Sequence, residues 1–93
     1  MNKDKKEKLN KEFFQAGLMA ILKHKKTKSL AKANGADNFS LVAYGIANDV
    51  VMNGISLLEK DDMEWFNDMH DGGGKKYEAF VLSICHEAHK ILV

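Results

Sequence analysis

The sequence predicts an all-α fold: a compact, irregular bundle of four main helices in a single domain of 93 residues, packed around a central apolar helix at about 39–58. Three observations carry this. Proline is absent, so no position forbids a long helix. Apolar residues recur three and four apart, and no alternating stretch reaches the length of a strand. Finally, Phe39 to Leu58 (FSLVAYGIANDVVMNGISLL) carries a single charge, Asp49. On a helical wheel Phe39, Val42, Ala43, Ile46, Val50, Asn53 and Leu57 share one side. The other side, with Leu41, Tyr44, Val51, Ile55 and Leu58, is apolar as well. A helix apolar all round needs cover on all sides. Three neighbours seldom seal one completely, so a second copy of the chain is expected on the side of Leu41, Tyr44, Val51 and Ile55, giving a homodimer or higher oligomer.

The first helix is expected from about Lys5 to Lys25, with Leu9, Phe13, Ala16, Gly17, Ala20 and His24 as a narrow stripe flanked by Phe14 and Ile21. Thr27 to Gly35 reads as a connector with one short helical turn, capped by Ser29 and stopped by Gly35. Asp37 or Asn38 then caps the central helix. A third helix is expected at about Asp62–His70, opened by Asp61 and Glu64 at capping-box spacing. Asp71-Gly72-Gly73-Gly74 breaks it. The last helix runs from about Lys75 to Leu92 and buries Tyr77, Phe80, Val81, Ile84, Ala88 and Ile91.

Charge is distributed unevenly. The first 32 residues hold ten lysines against Asp4, Glu7 and Glu12, and the remainder holds four lysines against ten acids. Every basic side chain is lysine, a hydrated point charge poorly suited to bidentate base reading. A lysine- and asparagine-rich chain without arginine fits an AT-rich genome, as in many phages and mobile elements. Cys85 is the lone cysteine, which excludes an internal disulfide and suits a reducing compartment. Leu18–Leu22 is too short for an export signal, and Asn48, Asp49 and Asn53 disfavour a membrane span. A cytoplasmic location is therefore expected.

No catalytic signature emerges, so a non-enzymatic protein without cofactor or metal is expected. The Cys85, His86 and His89 group falls short of a zinc motif, because the two histidines are three apart rather than four. His70-Asp71-Gly72-Gly73-Gly74-Lys75-Lys76 lacks the strand and the Ser or Thr of a phosphate loop. Residues 29–44 have some helix-turn-helix spacing, but the face offered to DNA is too apolar to read bases.

Two surfaces remain. Trp65, Phe66 and Met69 amid Asp61, Asp62, Glu64 and Asp68 have the composition of an interface anchor within a steering field. Trp65 lies about 200° from Met63 on the wheel and is expected partly outside. The first expectation is therefore a small regulator or inhibitor of a host protein, of the mobile-element kind, docking a basic partner there. The alternative uses Lys23, Lys25, Lys26, Lys28 and Lys32 as sequence-neutral phosphate contacts on nucleic acid.

Overall fold

The computed structural model describes residues 2–33 and 36–93, with the side chains of Ala36 and Asp37 left aside. Within them the chain is all-helical: α1 (Lys3–Lys23), α2 (Lys25–Ala33), α3 (Ala36–Ile55), a 3-10 turn (Lys60–Asp62), α4 (Met63–His70) and α5 (Lys75–Leu92). The whole measures 42 × 25 × 20 Å.

Three long helices make the core. Gly17 of α1 packs against both Ile84 of α5 and Ala47 of α3, and Phe13 lies against Gly54. Phe14 meets Phe80, Phe39 meets His89, and the Tyr77 hydroxyl donates to Asn48 Oδ1 at 2.6 Å. These pairs make α1 and α5 parallel to each other and antiparallel to α3. Desolvation of the Tyr77 hydroxyl pushes its pKa up to about 12.

The central helix is present, displaced three residues toward the N-terminus. Its buried row is Phe39, Ala43, Ala47, Val51 and Ile55, spaced by four throughout. Such a row advances about 40° per step, so it wraps from one side of the helix to the other. That is the ridge a crossing helix packs against. Two expectations are corrected by it. Val51 and Ile55, assigned to self-association, are in the chain's own core, and Tyr44 is half-buried; of that group only Leu41 is outside, 78% exposed. The helix is also not wrapped on all sides: α1, α2 and α5 cover it, while Leu41, Val42, Gly45, Asp49, Met52 and Asn53 face solvent. Exposed Asp49 therefore needs no internal partner.

The helix ends depart from expectation at several points. Asn2 caps α1 by accepting the Lys5 N–H at 2.8 Å. α1 stops at Lys23, earlier than expected, because His24 turns to an extended conformation. The connector is a full nine-residue helix, and Ser29 lies inside it rather than capping it. The Thr27 hydroxyl joins the two helices. It lies 2.6 Å from the Ile21 carbonyl and 2.8 Å from that of His24, so its one proton serves carbonyls left open at the end of α1. Gly35, the expected stop, lies outside the described residues, as does the side chain of Asp37. Asn38 is inside α3 and is not its cap.

At the other end Asp61, expected to open α4, lies inside the 3-10 turn, and Asp62, the residue that precedes the helix, makes no side-chain cap bond and turns to Lys5 instead. Gly72, Gly73 and Gly74 all take positive φ (74°, 89°, 79°), a run only glycine adopts without strain. In α5, Tyr77, Val81, Ile84 and Ala88 are buried as expected and Cys85 joins them, while Phe80 is half-buried and Ile91, in the last turn, is 53% exposed.

Candidate functional site

The acidic segment is engaged by the chain itself. Trp65 is 2% exposed, against expectation. Its ring stacks on Phe13 at 4.7 Å, meets Phe80 edge-on at 5.8 Å, and its Nε1–H donates to Asn10 Oδ1 at 2.6 Å. A helix as short as α4, laid over the seam between α1 and α5, buries its largest side chain there. Met63, Phe66 and Met69 are left half-covered. Phe66 is held by His70 at 4.3 Å and by Tyr77 at 5.8 Å.

The carboxylates follow the same pattern. Asp68 Oδ2 pairs with Lys6 Nζ at 2.5 Å, and Asp62 Oδ1 lies 2.7 Å from Lys5 Nζ. Asp62 Oδ1 is shielded from solvent and makes no directed hydrogen bond, so this ion pair is its compensation. The Lys6 ammonium holds the Asp68 carboxyl below its usual range, and the carboxylates in turn raise Lys5 and Lys6. Asp61 and Glu64 remain at the surface, beside a hollow of about 610 Å³ that they share with Asn2, Lys5, Lys60, Asp62 and Asn67.

The opposite end carries the other candidate. Lys23 closes α1, and Lys25, Lys26, Lys28 and Lys32 belong to α2; all five are exposed. α2 turns Thr27, Ala31 and half of Leu30 to the core, which leaves Lys25, Lys28, Ser29 and Lys32 along its outer face. Lys25 to Lys32 spans about 10 Å at 1.5 Å per residue. Lys26 points to one flank. Among the described residues none of the five lysines makes an ion pair. The sequence holds no acid between Glu12 and Asp37, and the nearby Glu87 is 3.9 Å from Lys90. The first turn of α2 also lacks an acid, so the positive pole of the helix adds to the field. α1, about 31 Å long, separates this end from the carboxylates around α4 by several Debye lengths. The sequence already offers these five lysines; the connector expected there hides only that a full helix sets Lys25, Lys28 and Lys32 on one face.

Other groups have ordinary roles. Cys85 is buried, and desolvation pushes its thiol up to about 11, leaving it inert near neutral pH. The His89 ring packs on Phe39 at 5.0 Å, while His86 is at the surface. Among the described residues there is no group of three or more His, Cys, Asp or Glu able to hold a metal ion. Nor is any helix among them long and apolar enough to cross a membrane. Comparison with known protein families, with curated proteins and with solved structures gave no match.

Proposed function

We propose that the protein is a non-enzymatic binding module that holds the phosphate backbone of nucleic acid through its lysine end, without reading sequence. The supporting observation is the set of Lys23, Lys25, Lys26, Lys28 and Lys32, exposed and without ion pairs, on a stretch free of acids. Lysine neutralises phosphate and releases counterions, and the absence of arginine removes the usual means of bidentate base reading. Fluorescence anisotropy with a labelled generic duplex tests the reading. Three to five phosphate contacts give an affinity that falls about 40- to 500-fold between 50 and 200 mM salt. Lys25→Glu/Lys28→Glu/Lys32→Glu abolishes binding at low salt with the helical circular dichroism unchanged, whereas Lys3→Glu/Lys8→Glu/Lys11→Glu retains most of it. Absence of binding by the wild type at 50 mM salt defeats the proposal.

A second reading rests on the hollow rimmed by Asp61, Asp62 and Glu64, on the side of α4 away from Phe66 and Met69. The Lys5 contact with Asp62 illustrates the chemistry such a rim accepts, that of a lysine-bearing helix. On this reading the protein regulates or inhibits a host protein with a basic surface, and Trp65 supports the site from beneath rather than inserting into the partner. Capture of one partner from native cell lysate, lost with Asp61→Lys/Glu64→Lys and kept with the triple α2 variant, distinguishes it from the first. The reverse pattern removes it.

A further inference from the structure

We infer that the lysine end prefers double-stranded nucleic acid to single strands, an inference that rests on the phosphate-binding reading above. Its basis is the placement of aromatic side chains relative to the lysines. Proteins that hold single strands combine a basic track with aromatic faces on which successive bases stack, and stacking compensates for ordering a flexible strand. In this molecule no Phe, Tyr or Trp side chain falls in the exposed class. Phe39, the one such ring in the part of α3 nearest α2, is 0% exposed. His24 is the nearest ring at the surface, and its Nδ1 accepts the Lys26 N–H, so one tethered imidazole is all the lysine row has beside it.

A duplex asks for none of this. Its strands are already ordered, and it presents one charge per about 1.7 Å of axis, so each neutralised phosphate releases more counterion than on a single strand. Lys25, Lys28 and Lys32 lie on one rigid helical face, with Lys26 and Lys23 beside it, which suits a short stretch of a stiff backbone. An anionic lipid surface offers the same charge but also takes up apolar side chains. The outer face of α2 provides only Ser29 and Ala33 among the lysines, because Thr27 and Ala31 are buried and Leu30 is half-buried.

The test compares the full chain at 50 mM salt against a random-sequence duplex, each of its separated strands, and phosphatidylserine vesicles. The duplex is expected to bind about tenfold more tightly than either strand, with no measurable vesicle binding. Ser29→Trp, which adds an exposed ring within the lysine row, is expected to tighten single-strand binding and leave duplex binding nearly unchanged. Single strands bound as tightly as the duplex overturn the preference and leave the phosphate-binding reading standing. Vesicles bound more tightly than the duplex overturn it too, and so does a Ser29→Trp protein with no gain on single strands. Absence of binding to either nucleic acid by the folded wild type removes the parent reading and the inference together.

Discussion

Gly45 and Gly54 sit on the same helix, yet an added methyl group has opposite consequences at the two positions. At Gly54 a Cβ would stand 2.5 Å from Phe13 Cε1, inside contact distance. The Phe13 ring cannot retreat easily, since it is 8% exposed and stacked on Trp65. At Gly45 nothing lies within 4 Å, and the position faces solvent. Alanine is the better helix former by about 1 kcal/mol at both sites. Gly45→Ala should therefore stabilise the protein by up to about 1 kcal/mol, whereas overpacking at Gly54 outweighs that gain and Gly54→Ala should cost about 1–2 kcal/mol. Urea unfolding followed through Trp65 measures both. Equal shifts of the midpoint for the two variants would show that the α1–α3 contact yields without cost. Neither outcome can be read from the sequence, where both are glycines within one apolar run; the difference lies in which of them faces Phe13.

At the scale of elements, α4 is held to the start of α1 by Lys6–Asp68 and Lys5–Asp62 and by the burial of Trp65. Asp68 is depressed by its lysine, so its contribution is in full force above the ordinary carboxylate range and disappears as pH falls through the lowered value. The raised Lys5 and Lys6 contribute below the ordinary lysine range and lose that contribution only in strong alkali. Stability should accordingly drop as pH falls through and below the ordinary carboxylate range, less steeply in Asp68→Asn, with 1 M salt reducing the difference between the two proteins. Identical acid limbs for wild type and variant would mean that the pair contributes nothing. The element boundaries show what a sequence carries at this scale. α3 and α5 were legible because long apolar periodicity marks them, and the glycine triplet marks the break between α4 and α5. The break after Lys23 was not, since no proline or glycine stands there and it depends on Thr27 reaching back to the Ile21 carbonyl. Trp65 was misplaced for a related reason. A wheel for the eight residues of α4 shows which side chains lie together, but the seam they cover is formed by α1 and α5.

For the whole molecule the open face of α3 bears on how the chain meets its own copies. Leu41, Val42 and Met52 are 78%, 37% and 41% exposed, a modest apolar surface beside Gly45 and Asn53 with Asp49 among them. Pairing two such faces about a two-fold axis near the middle of the helix brings the two Asp49 carboxylates together and strips them of water, with no lysine on this face of α3 to receive them. The expectation of an oligomer came from counting apolar residues on both sides of α3. Much of that surface is consumed internally once Val51 and Ile55 enter the core. Sedimentation in the low micromolar range at neutral pH should therefore find a monomer. Asp49→Leu removes the charge and joins Leu41 to Met52 as one apolar strip, so that variant should show concentration-dependent dimerisation, reversed by adding Leu41→Lys. If the wild type proves dimeric and Leu41→Lys leaves it so, the copies meet through another surface. The charge at Asp49 would then have no part in keeping the chains apart.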